Sequence, residues 1–115
     1  MINLFDEETA PMTDEEIQAS FKISRRISLN IGSENAVTSK QIIEAMKGQG
    51  ITLNGARLRK IINHIRRNKL VRNLVASSKG YYVETDQEKI RDYVDSLVQR
   101  AEAIREVAKS FEITV

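Results

Sequence analysis

The amino-acid sequence predicts a mainly α-helical protein with one small β-hairpin and a long C-terminal helix. Apolar residues recur at helical spacing from Ile17 to Ile65. After Leu70 the period changes from about 3.6 residues to about 2, which is typical of strands. From Ile90 onward, helical spacing returns in a heptad pattern. The chain has 115 residues, enough for one domain and one appended element.

The first helix is predicted to begin at Thr13, because Thr13 and Glu16 have the spacing of a capping box. Residues 1–12 form an acidic lead, which we expect to be flexible. Such a lead either solubilises the protein as a disordered arm or mimics DNA and covers a basic face. The apolar stripe of the helix is predicted to consist of Ile17, Phe21, Ile27 and Ile31.

Two further helices follow, and both begin at recognisable capping residues. Thr38 and Gln41 form a second capping box, and Asn54 is a predicted N-cap after a sharp turn at Gly48 and Gly50. At about 100° per residue, one face of the third helix is apolar and is predicted to be buried. That face consists of Leu58, Ile61, Ile62 and Ile65, and the opposite face, expected to point outward, of Ala56, Lys60, Asn63 and Arg67.

The hairpin is predicted to follow Leu70, with its turn at Ser77–Gly80 and a second strand at Tyr81, Tyr82 and Val83. One of the two tyrosines is expected to pack in the core in preference to stacking on a base. A third capping box, Thr85–Glu88, is predicted to open the last helix.

The last helix carries a heptad seam over about three heptads. Its members are Val94, Leu97, Ala101, Ile104, Ala108 and Phe111. The seam indicates self-association as a homodimer, and the alternative is that it folds back on the first helix. The predicted organisation is therefore a lead at 1–12, a domain at 13–84 and an oligomerisation helix at 85–112.

Charge is unevenly distributed along the chain, although the net charge is only +2. Residues 1–16 carry −6, residues 17–83 carry +11 and residues 84–115 carry −3. Between Glu44 and Glu84 there are nine bases and no acid. A basic run of this kind either keeps a face solvated or binds a polyanion, and the absence of compensating acids favours the polyanion.

Composition argues against an enzyme. The chain has no cysteine and one histidine, His64, so we expect no thiol chemistry, no catalytic residue, no metal site and no cofactor. A nuclease needs clustered carboxylates to hold Mg²⁺, and only Glu44 and Glu84 adjoin the basic run. Without an apolar run of membrane length or a signal sequence, we expect no membrane partner and a cytoplasmic, nucleoid-associated location.

The order of elements and three stretches resemble the winged helix-turn-helix family. These stretches are AVTSKQIIEAM, LNGARLRKIINHIRRNKLV and SSKGYYV. The resemblance covers roughly residues 17–84, and the stretches look like the small winged-helix proteins found among bacterial regulators and phage or prophage genes. It implies a winged helix-turn-helix domain that binds double-stranded DNA, with the third helix as recognition helix and the hairpin as wing.

The resemblance also implies which residues contact DNA. The recognition helix would present its outward residues to base edges: Asn54, Arg57, Arg59, Lys60, Asn63, His64 and Arg67. His64 itself is expected on the surface or at phosphate, with base contact as the alternative. The start of the second helix and the wing tip would meet phosphate through Thr38, Ser39, Lys40, Ser78 and Lys79.

Two functions are compatible with these features. The first is a dimeric transcriptional regulator that binds a specific DNA site, with no small-molecule effector evident. The second is an assembly or replication accessory protein of a phage or mobile element, which uses the winged helix as a DNA or protein docking module. A discrete palindromic footprint would indicate the regulator, whereas site-independent binding would indicate the accessory protein.

Overall fold

A computed structural model of the chain describes residues 9–113. It is mainly helical, with a small two-stranded antiparallel hairpin and a long C-terminal helix, as predicted. The elements are α1 (Asp14–Ile27), a 3-10 turn (Ser33–Asn35), α2 (Ser39–Gly48), α3 (Gly55–Arg67), β1 (Leu74–Ser77), β2 (Gly80–Val83) and α4 (Gln87–Lys109). The chain divides into two compact units, one ending at Glu84 and the other beginning at Thr85. The predicted acidic lead falls largely on residues 1–8, outside the described residues.

Helices α1, α2 and α3 and the hairpin share one apolar core. Its fully buried side chains come from each helix and from the extended segment before α2. The predicted core face of α3 is confirmed, and so is the placement of one tyrosine in the core. The core includes Ile23, Ile27, Val37, Ile42, Leu58, Ile61, Ile62, Ile65, Leu74 and Tyr81.

The predicted apolar stripe of α1 is wrong except at Ile27. Ile17 and Ile31 are exposed, and the Phe21 side chain is 57% exposed. The buried residues are instead Glu16, Ala19, Ser20, Ile23, Ser24 and Ile27. They keep helical spacing, but half of them are polar, so a search for apolar periodicity selects the neighbouring face.

Helix starts agree with the capping residues at three of four positions. Thr13 and Thr38 each form both hydrogen bonds of a capping box, with Glu16 and Gln41 respectively. The Asn54 side chain accepts a hydrogen bond from the backbone N–H of Arg57 at 2.8 Å. These caps stabilise the first turns, where backbone N–H groups have no partner inside the helix.

The fourth capping assignment is wrong by one residue. The N-cap of α4 is Asp86, and its Oδ1 accepts hydrogen bonds from the N–H groups of Glu88 and Lys89. Thr85 and Asp86 are adjacent, and both are suitable N-cap residues. The local sequence pattern therefore does not decide which of them caps the helix. Among residues 9–113, no helix is long and apolar enough to cross a membrane.

The hairpin closes with a two-residue turn at Ser78 and Lys79, since Ser77 pairs with Gly80. Val37, just before α2, forms an antiparallel bridge with Tyr81. Gly80 has φ +122°, and a Cβ there would lie 2.4 Å from the Val37 carbonyl oxygen. Only glycine therefore allows the hairpin to approach this segment so closely.

Candidate nucleic-acid interface

A buried ion pair joins α1 to α3. Lys60 Nζ lies 2.8 Å from Glu16 Oε1, and Arg57 Nε lies 3.1 Å from Glu16 Oε2. Arg57 also contacts the Glu15 carboxylate at 3.4 Å and donates a hydrogen bond to the Thr52 carbonyl at 2.6 Å. The Glu16 side chain is 1% exposed, so this carboxylate depends on its partners for its charge.

These contacts govern the acidity of Glu16. Burial by itself would raise the pKa of this carboxyl, because a charge is costly away from water. Hydrogen bonds from Lys60, the Thr13 backbone N–H and Arg57 outweigh burial and lower the pKa of Glu16 to about 2. Glu16 therefore stays ionised over the whole physiological range, and it serves structure by attaching α3 to α1.

The buried ion pair shows that part of the face of α3 predicted to point outward points inward. Ala56 and Lys60 were expected to point away from the core, but they are 1% and 6% exposed. Both lie on the side of α3 that packs on α1, and Arg57 is turned to the same acids. Lys60 is thus removed from the candidate base-contacting residues, and Arg57 is engaged internally. Helix α3 packs on both the core and α1, so it has two buried sides. The apolar pattern marks only the side that faces the core, because the side that faces α1 contains Lys60.

The outward face of α3 carries four cationic or amide side chains. Arg59, Asn63 and Arg67 are exposed, and Arg66 is half-buried. Arg59, Asn63 and Arg66 are spaced by four and three residues, so they form one row along the helix. The row extends about 10 Å at 1.5 Å per residue. Side chains of these types, in one row, can donate hydrogen bonds to phosphates or base edges.

Cationic residues continue past the end of α3 into the link to β1. An open cleft of about 550 Å³ is lined by Arg66, Lys69, Arg72 and Asn73, and by the buried Val71. Lys69 and Asn73 have φ of +54° and +56°, so the link turns sharply and holds its residues close together. The sequence interpretation counted Arg66, Lys69 and Arg72 in the basic run but assigned them to no site. For Arg66, the sequence signal is its i, i+3 spacing from Asn63 on the same helix.

A second cleft, of about 410 Å³, lies on the opposite edge of the α3 row. One wall is the segment 9–12, and the other contains Lys60, Asn63 and Arg67. The segment is held in place because Lys60 Nζ donates to the Pro11 carbonyl at 3.4 Å and Met12 packs against the core. Residues 9–12 therefore lie beside the polar face of α3.

The other predicted contact residues occupy helix ends and the hairpin turn. Thr38 caps α2, and Ser39 and Lys40 are exposed in its first turn. Ser78 and Lys79 are exposed at the hairpin turn, where the Lys79 N–H donates to Ser77 Oγ at 3.2 Å. These groups are accessible to an anion from solvent.

Two predicted residues of α3 have local structural partners. The Asn54 Oδ1 already accepts the capping hydrogen bond, so this oxygen is occupied. His64 is half-buried, and its Nδ1 lies 3.3 Å from the Asn68 side-chain nitrogen. Both residues lie off the row of Arg59, Asn63 and Arg66.

The predicted dimer residues lie on α4 and in the turn after it. None of the residues of α4 is buried. The exposed large side chains of this part of the chain include Val94, Leu97, Ile104 and Phe111, and Ala101 and Ala108 are exposed between them. Among residues 9–113, no group of three His, Asp or Glu residues lies close enough to hold a metal ion.

No protein-family model, curated protein or solved structure matches the chain.

Proposed function

We propose that this protein binds double-stranded DNA through the outward face of α3. The observation that carries the proposal is the row of Arg59, Asn63 and Arg66, which is presented on a helix whose other sides pack on the core and on α1. A row of this kind at the surface, without acids among it, attracts a polyanion.

The arrangement of elements supports a winged helix-turn-helix as the form of this domain. Helix α2 is followed by a short connection and α3, and the hairpin comes next in the chain. The bridge between Val37 and Tyr81 adds a third extended segment beside the hairpin. In a winged helix-turn-helix the helix after the turn enters the major groove, and here that helix is α3.

The side chains on the face divide into two chemical roles. Arginine matches the O6 and N7 acceptors of guanine, and asparagine matches the N6 and N7 of adenine. Arg59, Asn63 and Arg66 are therefore assigned to base edges. The phosphate contacts are assigned to the exposed bases at helix ends and turns, Lys40, Lys69, Arg72 and Lys79, and to the N-terminus of α2.

The biological role that follows is transcriptional regulation at a specific site. The test is selection of bound sequences from a pool of random duplexes. A regulator yields a discrete consensus, because each good base contact discriminates by about 1–3 kcal/mol. If the selected pool stays random while the protein still binds, the accessory or assembly role replaces the regulator.

Charge reversal tests the face itself. Arg59→Glu combined with Arg66→Glu should reduce duplex affinity at least tenfold in a fluorescence anisotropy titration, since two attractive charges become repulsive. Lys22→Glu is the control, because Lys22 is an exposed base on the side of α1 away from Glu16. Equal affinity of the double variant and the wild type would remove α3 from the interface.

A further inference from the structure

We propose that two copies of this protein pair through α4 and that the two helices run antiparallel. The pairing goes beyond DNA binding and does not depend on it. Helix α4 has 23 residues and buries none of them. Its seam exposes large apolar side chains, with Ile104 and Phe111 each 70% exposed. An exposed apolar stripe of this length is unfavourable in water unless a partner covers it.

The heptad positions of the seam differ in size, and the difference selects the orientation. In heptad notation, the a positions are Val94, Ala101 and Ala108, and the d positions include Leu97 and Ile104. A parallel pair places a against a and d against d, so the two alanine layers would leave voids. An antiparallel pair places a against d in every layer, so that each small side chain meets a large one.

One antiparallel register pairs every layer from Val94 to Phe111. It sets Ala101 opposite the partner's Ile104 and Leu97 opposite the partner's Ala108. Symmetry then repeats both layers, and Phe111, in the turn just after α4, comes opposite the partner's Val94. Every layer of this register combines one smaller and one larger side chain, as close packing requires.

The charges beside the seam favour the same orientation. The positions that flank it, e and g, hold Arg91, Arg100 and Arg105 within α4, and no acid. A parallel pair brings Arg100 against the partner's Arg105, and like charges repel. In the antiparallel register, Arg100 lies beside the partner's Val107 and Arg105 beside the partner's Val98. Within each pair, the arginine and the valine are separated by about 3 Å along the helix axis, which is two residues at 1.5 Å each.

The arginine stems can then pack on the valines while their guanidinium groups remain in water. Both valines are more than half exposed in the single chain, at 54% for Val98 and 60% for Val107. In the antiparallel pair, the aliphatic parts of these arginines cover both valines. A second copy of the chain is therefore the occupant that matches this face in both size and charge.

Spin-label distances test the orientation, and the chain suits them because it has no native cysteine. Asp92→Cys and Glu106→Cys each place one label on the side of α4 away from the seam. In the antiparallel register the two labels at position 92 are about 31 Å apart along the axis, and those at position 106 about 10 Å. Distances that differ in this sense support the proposal, and equal distances at the two positions refute it.

The oligomeric state is the second readout, measured by sedimentation at tens of micromolar without DNA. The wild type should be a dimer, and Leu97→Asp combined with Ile104→Asp should give a monomer whose circular dichroism still shows a folded first unit. Ser96→Asp combined with Gln99→Asp, on the opposite side of α4, is the matched control and should remain dimeric. A monomeric wild type refutes the pairing, whatever the outcome of the DNA experiments.

Discussion

Glu16 and Lys60 show how one pair of residues decides which face of a helix is available. Lys60 is 44 positions from Glu16 in the chain, yet their charged atoms are 2.8 Å apart. The contact turns Lys60 inward and leaves Asn63 at the surface. The two neighbours on α3 should therefore respond in opposite ways to truncation.

Lys60→Ala should destabilise the fold by about 3 kcal/mol, because removing one partner leaves a buried carboxylate undercompensated. Arg57 still contacts Glu16 in that variant, so complete unfolding is not expected. Asn63→Ala is the control and should leave stability within about 0.5 kcal/mol while it changes the preference for DNA sequence. Urea titration and DNA binding distinguish the two variants, and a Lys60→Ala protein of wild-type stability would contradict the structural role.

Glu16 also predicts how stability depends on pH. Its pKa is lowered from 4.5 to about 2 in the folded state. Its contribution is therefore complete above about pH 4.5 and is lost as the pH falls toward 2, where the folded state also becomes protonated. This lowering of the Glu16 pKa corresponds to a contribution of about 3 kcal/mol to stability.

The comparison of wild type with Glu16→Gln in urea measures this dependence. The difference in unfolding free energy should be largest near pH 7 and should shrink steadily below pH 4.5, because the variant has no carboxyl to protonate. A difference that stays constant from pH 7 to pH 2.5 would mean that the Glu16 charge contributes nothing to stability.

At the scale of elements, the hairpin depends on its close approach to the segment before α2. Gly80→Ala should destabilise the protein by more than about 1 kcal/mol, since alanine is strained at positive φ and its Cβ meets the Val37 carbonyl. Gly48→Ala provides the comparison, because nothing lies within 4 Å of a Cβ there and the residue is helical. It should be neutral or stabilise by about 0.4–1 kcal/mol in thermal unfolding. Equal effects of the two substitutions would contradict the close approach.

The sequence predicted α1 to α4, the hairpin and the apolar face of α3, since caps and apolar periodicity are local signals. Thr13, Thr38 and Asn54 mark helix starts by hydrogen bonds within three residues. The misassigned faces of α1 and α3 have one common cause. Burial of Glu16 and Lys60 depends on a partner more than forty residues away, and no local period contains that information.

At the scale of the whole molecule, folding reduces the basic run to a smaller exposed surface. Two of its nine bases, Arg57 and Lys60, are paired with the acids of α1. Of the other seven, Lys47 lies near the end of α2, and six lie on α3, in the link to β1 and at the hairpin turn. The strength of DNA binding should therefore reflect a few phosphate contacts per chain.

The dependence of duplex affinity on salt is the sharpest test of DNA binding by this protein. If about three to five phosphates are neutralised per chain, log K should fall with log[salt] at a slope of about −3 to −5 per chain. The measurement uses random-sequence duplex and wild-type protein from about 50 to 300 mM salt, where non-specific phosphate contacts dominate. A slope in that range is the expected result, and no measurable binding at about 50 mM salt would contradict the proposal that this protein binds double-stranded DNA.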